Sequence, residues 1–372
     1  MTSALLLTSH PVDGRDGADK EIAVALAEGL RGVDFTYVGR LGVRAPGSGR
    51  KVAVLSRRGM PGLLERGQVA VRTPVLARRV DLVHAVMTVG PQFSRWSRSR
   101  LLPRDRPVIH TVPGIAGPDD LVGVRPLGVT VALAETTARR LRDAGFPDVR
   151  VVPPGIDLHR WEPSPRPGGA RPVLLFAGHY GPHGGTEEAL QAAARVERGG
   201  VPVRLVLAMR HRSGHDVREE ARSVLARGSA LGLTEVAVHD RVADMPGLVR
   251  SADVVLFLPL RLSEGKADVP LTVVESMAAA RPVVVTDLPQ LAALGSAVTR
   301  VAAGDHDLAG EAVLRLLRSP ETYSAAVAEG RRRAVEAFSA DAMCREYAAI
   351  YAELLGVDAA TLGPDSAFTA AP

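Results

Sequence analysis

The chain has 372 residues, 46% of them hydrophobic; this length indicates two domains or one large one, and the apolar content is enough for buried cores. Its net charge of +5 reflects an arginine-rich composition more than a polyanionic partner, and nucleic-acid binding is not expected because aromatic residues for base stacking make up only 4%. The single cysteine, Cys344, excludes an internal disulfide framework and a cysteine-rich zinc site, and it indicates a reducing, cytoplasmic location.

Short apolar segments alternate with helical patterns in the first part of the chain. Strands are predicted at residues 4–8, 34–38, 52–56, 82–86, 107–111, 129–134 and 149–152. Helices are predicted at residues 19–30 and 136–144, and Gly145 follows the second as a C-cap signal. This alternation is typical of a mostly parallel sheet that is covered by helices.

A segment rich in proline and glycine, residues 161–172, interrupts the alternation and is predicted to be a linker. Strands follow at residues 173–177, 204–208, 236–239, 254–258 and 283–286, and helices at residues 187–198, 217–226, 273–280, 308–317, 321–337 and 341–355. The predicted organisation is α/β, with doubly wound Rossmann-like domains at residues 1–160 and 173–338, a final helix at 339–356 and a tail at 357–372. Ligands of such sheets bind at the carboxyl ends of the strands, and we expect the two domains to face each other across a cleft.

Candidate groups in the first domain fall at the carboxyl ends of predicted strands. Gly14 and Gly17 follow the first strand and open the first helix, where they indicate either a flexible turn or a close approach of the backbone to a diphosphate. His110 ends the strand at residues 107–111, and its imidazole is either a packed structural group or a functional group on the cleft side. His84 ends the preceding strand, and there the structural interpretation is favoured.

The segment after the first strand of the second domain, residues 178–185, contains four glycines and two histidines. Its glycines, among them Gly178, favour a close approach to a ligand, and they disfavour the helix on which His179 and His183 could bind a metal together. Arg210 and Arg212 follow the next strand and could hold a phosphate bidentately, although exposed arginines are common in a chain of this composition.

The stretch from Lys266 to Glu275 is the most specific signal in the sequence. A loop with a cation and a proline runs into a predicted helix whose first turn carries Glu275. The free N–H groups and the positive dipole end of such a helix start attract phosphate, and a glutamate there accepts hydrogen bonds from sugar hydroxyls. No His-Glu-x-x-His or Cys-x-x-Cys motif is present, so we expect no metal and no cofactor, and the predicted ligand is a nucleotide sugar.

Five segments, in this order and spacing, resemble the family 4 glycosyltransferases, which are retaining enzymes of the GT-B fold. They are VALAETTARRL at residues 131–141, VVPPGID at 151–157, LFAGH at 175–179, SADVVLFLP at 251–259 and PLTVVESMAAARPVV at 270–284. The resemblance covers most of the chain. It implies metal-independent transfer of a hexosyl group from a nucleoside diphosphate sugar to an acceptor hydroxyl, with the donor bound by the second domain and the acceptor by the first.

The resemblance also implies roles for single residues. Glu275 matches the second glutamate of the family's Glu-x7-Glu motif, which contacts the ribose. The backbone N–H groups of Leu271 and Thr272 fall where the family cradles phosphate, and Gly14 and Gly17 match its N-terminal glycine loop.

Two further matches and one departure concern the donor sugar and the end of the chain. His110 lies where the family often has a histidine near the donor sugar, and the last predicted helix resembles the crossover helix that returns to brace the first domain. The first glutamate of the Glu-x7-Glu motif is replaced by Ala267, and Asp268 could take its role with the sugar.

The donor loop departs from the family pattern as well. The two cations that usually hold the diphosphate are replaced by His179 and Gly184. Lys266 and Arg210 are the candidate substitutes, and we expect them to stabilise the departing diphosphate together with the helix start. These changes indicate a divergent donor-site subgroup.

Alternatives to a hexosyltransferase stay open. Ala267 and His179 are compatible with a pseudo-glycosyltransferase that uses a cyclitol nucleotide, and the third hypothesis is a catalytically silent partner of another transferase. The acceptor is a natural product, a sugar or a lipid-linked glycan. Arginines of the first domain form either a solvated basic face, which is favoured, or a peripheral contact with anionic membrane, and they are Arg57, Arg58, Arg95, Arg98 and Arg100.

Overall fold

The computed structural model describes residues 2–8, 18–40, 49–54, 63–99, 105–181, 183–210, 216–262 and 269–364. These residues form two compact units. The first holds the described residues up to Asp157, Val269 and those from Ala337 onward, and the second holds residues 158–262 and 270–336. No helix among the described residues is both long enough and apolar enough to cross a membrane.

The first unit contains a seven-stranded parallel sheet. Its strands are β1 (Thr2–Thr8), β2 (Val33–Arg40), β3 (Arg50–Val54), β4 (Leu82–Val86), β5 (Val108–Val112), β6 (Val129–Ala132) and β7 (Val149–Val151). Their order is β3-β2-β1-β4-β5-β6-β7, so that β1 pairs with β2 on one side and with β4 on the other. Successive strands are therefore added first on one side of β1 and then on the other, as in a doubly wound fold.

Helices cover both faces of this sheet because successive residues of a strand point to opposite faces. Leu6 packs with Ile22 in one buried cluster, and Leu5 packs with Ala77 in another. The helices of this part are α1 (Ala18–Gly29), α2 (Leu63–Ala77), α3 (Pro91–Arg98) and α4 (Glu135–Asp143), with a short 3-10 helix at Pro118–Leu121.

The second unit contains a six-stranded parallel sheet of order β10-β9-β8-β11-β12-β13. Its strands are β8 (Val173–His179), β9 (Arg204–Arg210), β10 (Val236–His239), β11 (Val254–Phe257), β12 (Val283–Thr286) and β13 (Thr299–Val301). The helices are α5 (Thr186–Arg198), α6 (Val217–Ala230), α7 (Met245–Arg250), α8 (Leu271–Ala278), α9 (His306–Arg318) and α10 (Pro320–Phe338), with a 3-10 helix at Pro289–Ala297. Both predicted doubly wound parallel sheets are thus present.

The last helix, α11 (Ala340–Leu355), returns to the first unit and packs against α1. Its Cys344 is buried, with the sulfur 3.4 Å from the carbonyl oxygen of Ala25. A Cβ atom at Gly29 of α1 would lie 2.5 Å from that sulfur, so the close approach of the two helices requires glycine there. The helix predicted to return and brace the first domain is therefore observed.

The buried side chain of Arg281 holds the segment that enters the second unit. Its guanidinium donates hydrogen bonds to the backbone carbonyls of Ser164 and Pro165, at 3.0 and 2.8 Å. The carboxylate of Asp253, which is also buried, accepts a hydrogen bond from Arg166 at 2.9 Å. Because a buried guanidinium needs several acceptors, this contact set fixes the path of the chain ahead of β8.

The structure corrects several predicted boundaries. Four elements were not predicted from the sequence: α2, α3, α7 and β13. Helix α3 is short and rich in serine and arginine, and α2 carries Pro74 in its last turn. Helix α8 begins at Leu271 and not at residue 273, since Pro270 occupies its N-cap. Glu275 accordingly lies in the second turn of α8, and the expectation that it lies in the first turn was wrong.

Candidate functional site

The second sheet changes winding direction between β8 and β11, which are neighbours although β9 and β10 lie between them in sequence. Ligands of doubly wound sheets bind at the carboxyl ends of the strands at such a point. Three segments follow the carboxyl ends of these two strands: the loop after β8, the loop after β11 and, after that loop, the start of α8.

The loops after β8 and β11 are in direct contact. Gly185, the N-cap of α5, has a φ of 96°, and a Cβ atom there would lie 2.6 Å from the carbonyl carbon of Leu258. The amide of Leu260 donates a hydrogen bond to the carbonyl of His183 at 3.2 Å. Only glycine satisfies both the left-handed backbone and the close packing at position 185. The pair of glycines at 184 and 185 was a sequence signal for this turn, although we did not single out Gly185.

Among the described residues, no side chain caps the amino end of helix α8. Its N-cap is Pro270, and the amide of Val273 is the first to bond back, to the Pro270 carbonyl at 3.1 Å. The N–H groups of Leu271 and Thr272 precede it, where no carbonyl of the helix can accept them. Glu275 is half-buried one turn further on. The helix start can therefore donate to an anion, with a carboxylate close behind it.

The structure places His179 and Arg210 side by side. His179 ends β8, Arg210 ends β9, and the two are partners in the parallel register, next to the pair formed by Gly178 and Met209. At Gly178 a Cβ atom would lie 2.7 Å from the ring of Phe176, so glycine is required there by packing within the strand. For His179 and Arg210 the structure describes the backbone position.

Five candidate site residues lie outside the described residues: Gly14, Gly17, Arg212, Lys266 and Asp268. The same holds for Arg57, Arg58 and Arg100 of the predicted basic face. The described residues thus bring together the loop of Gly178 and His179, the end of the strand at Arg210 and, in the same unit, the start of α8 with Leu271, Thr272 and Glu275.

His110 belongs to the first unit and is fully buried in β5. Its Nε2 donates a hydrogen bond to the carbonyl of Met87 at 2.9 Å, and its ring stacks on Phe93 with centroids 4.1 Å apart. Because a carbonyl can only accept, Nε2 carries the proton, and Nδ1 is left as an acceptor that has no partner among the described residues. Burial lowers the pKa of His110 to about 4, so the imidazole is neutral near pH 7.

His84 has a different environment on β4. Its Nδ1 lies 2.8 Å from the hydroxyl of Tyr351, and its Nε2 lies 2.7 Å from the hydroxyl of Thr111. The Thr111 hydroxyl in turn lies 2.7 Å from that of Tyr347. Burial lowers the pKa of His84 to about 3. This cluster, which we call the His84 network (His84, Thr111, Tyr347 and Tyr351), ties β4 and β5 to α11.

Metal ligation has no support in the described geometry. Among the described residues no group of three His, Cys, Asp or Glu side chains could hold a metal ion. The Asp-x-Asp pair of Asp305 and Asp307 serves a helix, because Asp305 caps α9 by accepting a hydrogen bond from the amide of Leu308 at 2.9 Å. Asp307 lies 3.7 Å from Arg198.

The family comparison finds a similarity in the second unit. Residues 171–319 match the family model of glycosyl transferases group 1. The match covers under half of the chain and begins just ahead of β8. The sequence matches none of the curated proteins.

The structural comparison covers nearly the whole chain. The Anabaena protein Alr3699/HepE in complex with UDP and glucose has a TM-score of 0.72 at 14% identity, over 95% of this chain and 100% of that chain. Sucrose-phosphate synthase from Thermosynechococcus elongatus has a TM-score of 0.72 at 16% identity, over 96% of this chain and 100% of that chain. A UDP-forming α,α-trehalose-phosphate synthase from Burkholderia xenovorans has a TM-score of 0.67 at 13% identity, over 96% of this chain and 99% of that chain.

At these identities the comparison with solved structures shows the fold. The GT-B class predicted from the sequence is confirmed. The family match of residues 171–319 supports a glycosyltransferase.

Proposed function

We propose that the protein is a retaining hexosyltransferase of the family 4 type, which moves a hexosyl group from a nucleoside diphosphate sugar to an acceptor hydroxyl without a bound metal ion. The observation that carries the proposal is the uncapped start of α8 in a glycosyl transferases group 1 domain, with Glu275 one turn behind it. In this proposal the second unit binds the donor and the first unit binds the acceptor.

The donor diphosphate would lie at the start of α8. The N–H groups of Leu271 and Thr272 would donate to its oxygens, and the helix dipole would favour its negative charge. Glu275 would accept hydrogen bonds from the ribose hydroxyls. The Anabaena protein Alr3699/HepE, which shares this fold, has been solved in complex with UDP-glucose.

Transfer requires that the charge of the departing diphosphate be stabilised where it develops. Arg210 ends β9 beside His179, which ends β8, and it is a candidate for this role. Lys266 precedes α8 in sequence and is the second candidate, with Asp268 proposed to contact the donor sugar. In the front-face route that we propose, an oxygen of the leaving phosphate takes the proton of the acceptor hydroxyl.

In the first unit, Gly14 and Gly17 follow β1 in sequence and are proposed to approach the donor, and His110 is proposed to contact the donor sugar. The neutral imidazole of His110 suits a hydrogen-bonding role, because no described residue uses the lone pair of its Nδ1. Arg95 and Arg98 are exposed on α3, and contact of this surface with anionic membrane beside a lipid-linked acceptor is a proposal that vesicle binding can test.

The first experiment is a thermal-shift panel with UDP, GDP, ADP and dTDP and their common sugars, in EDTA and in magnesium. A ligand that binds only the folded state raises its stability, so selective stabilisation in EDTA by one nucleotide would fix the donor class. Transfer is then assayed with that donor, and the anomeric configuration of the product is determined by NMR. An inverted product would contradict the retaining mechanism, and stabilisation that requires magnesium would contradict metal independence.

Single variants test the named residues. Lys266→Ala should weaken donor binding and turnover together, and unchanged kinetics would remove Lys266 from the mechanism.

Binding of a cyclitol nucleotide in preference to every sugar nucleotide would favour the pseudo-glycosyltransferase. Nucleotide binding without turnover on any acceptor would favour the silent partner.

A further inference from the structure

Two arginine side chains hold the carboxyl end of α8, the helix whose amino end is the proposed diphosphate site. The Nη1 of Arg331, on α10, donates a hydrogen bond to the carbonyl of Ala278 at 2.7 Å. The Nη1 of the buried Arg281 donates to the carbonyl of Ala280 at 2.8 Å. The last carbonyls of a helix have no partners within the helix, and a cation there also interacts favourably with the helix dipole.

The backbone that ends α8 adopts a conformation that usually requires glycine. Ala280 has a φ of 60°, and among the described residues it is the only non-glycine residue in the left-handed region. Its amide donates to the carbonyl of Met277 at 3.1 Å, and the amide of Arg281 donates to that of Ser276 at 2.9 Å. These two bonds close the helix in a Schellman turn. Because a Cβ atom is strained in this region, the surrounding contacts must hold the turn.

The side chain of Arg281 ties this turn to two other segments of the second unit. Its Nη2 donates to the carbonyl of Arg250, the last residue of α7, at 2.9 Å. Its Nη1 also donates to the carbonyl of Ser164, ahead of β8, at 3.0 Å. Since a buried guanidinium must keep its acceptors, the end of α8 cannot shift without breaking several hydrogen bonds.

The length of α8 links the position of its two ends. The helix has eight residues, which corresponds to about 12 Å. An isolated helix of this length is marginal in water, so its order depends on tertiary contacts. Val273, Val274 and Met277 are buried along its flank, and Arg281 and Arg331 supply the contacts at its carboxyl end. A shift or fraying at that end would therefore be transmitted to the amino end.

We propose that Arg331 and Arg281 are positioning residues for the proposed diphosphate site, because they fix α8 at its carboxyl end. The free N–H groups of Leu271 and Thr272 are thereby kept in the geometry that a phosphate requires. The inference rests on the proposed function, since that function places the diphosphate at these N–H groups. Both arginines bond at the opposite end of the helix and act through α8, without contact with the donor.

The test compares two arginines of α10 that make the same kind of bond. Arg331→Met removes the bond to Ala278, and Arg333→Met, the matched control, removes a 2.8 Å bond to the carbonyl of Ala293. UDP is titrated by calorimetry into the full chain, well below the Tm of each variant. Arg331→Met should raise the Kd about tenfold, and Arg333→Met should leave it within about twofold of the wild type. Arg331→Lys, whose ammonium can still donate to the carbonyl, should restore the affinity.

Amide hydrogen exchange of residues 271–281, measured without nucleotide, keeps this inference apart from the proposed function. Exchange there should be about tenfold or more faster in Arg331→Met than in the wild type, and within about twofold of it in Arg333→Met. If the wild type does not bind UDP, the proposed donor site fails, and faster exchange in Arg331→Met alone still supports the anchoring of α8. The positioning role is overturned if the two variants bind UDP equally well, or if they exchange these amides equally fast.

Discussion

The two buried histidines of the first unit occupy neighbouring strands of one sheet, with Ala85 opposite His110 and His84 opposite Ile109. His84 faces α11 and has a hydroxyl partner on each ring nitrogen. His110 faces α3 and stacks on Phe93, and among the described residues only one of its ring nitrogens has a partner. Burial is complete for both, so burial alone does not separate a structural histidine from a candidate functional one. The unused acceptor of His110 does.

The largest expected effect is a loss of stability at low pH, to which both histidines contribute. In the folded state their pKa values lie at about 3 and about 4, below the ordinary value of 6.5. Between pH 6.5 and about 4 the unfolded chain therefore binds protons that the folded chain does not, and the free energy of unfolding falls as pH falls, by up to ~1.4 kcal/mol per pH unit for each histidine.

Urea unfolding at a series of pH values measures this slope. A variant that lacks one of the two histidines should lose about half of the histidine part of the slope. A slope that is the same in the wild type and in such a variant would mean that the replaced imidazole titrates normally in the folded protein.

His84→Leu should destabilise the first unit strongly, since it leaves two buried hydroxyls, those of Tyr351 and Thr111, without their shared partner. We expect a loss of about 3 kcal/mol in the free energy of unfolding, measured by urea titration. His239→Leu, at an exposed position on β10, is the control and should change stability by less than about 0.5 kcal/mol. Equal effects of the two changes would refute the role assigned to the network.

Two tyrosine variants separate the ends of the His84 network. Tyr347→Phe should cost about 1 kcal/mol, because Thr111 keeps its bond to His84. Tyr351→Phe should cost more, about 2 kcal/mol, because it leaves the Nδ1 of a buried imidazole unsatisfied. The same unfolding measurement checks both, and a reversed order would show that the Thr111 side of the network dominates.

His110→Gln should have the smallest effect on stability and is the sharpest test of the contrast. The glutamine amide can still donate to the carbonyl of Met87, so we expect a loss of about 1 kcal/mol or less. Turnover should fall about tenfold or more if the ring contacts the donor sugar, while UDP affinity stays the same. A variant with unchanged turnover would assign His110 the same structural role as His84.

The sequence was sufficient for most of the fold because apolar periodicity is local. The strands at residues 82–86, 236–239 and 283–286 were predicted with the boundaries that the structure shows. Helix α3 was missed because its eight residues are mostly polar, and its burial depends on Phe93 and Trp96 contacting distant parts of the unit.

The candidate site was predictable in outline and not in its contacts. Strand ends and a helix start can be placed from sequence, and the structure puts His179 next to Arg210 at the expected sheet edge. The partners of His84 could not be found in this way, since Tyr351 lies 267 positions away and Tyr347 lies 236 positions from Thr111.

The return of α11 to the first unit has a consequence for biosynthesis. Residues of α11, including Cys344, Tyr347 and Tyr351, belong to the same buried cluster as α1 and the first strands. On the ribosome, the strands of the first unit must therefore wait for residues 340–355, whereas the second unit has all of its strands available earlier. The unit that is translated first is thus completed last.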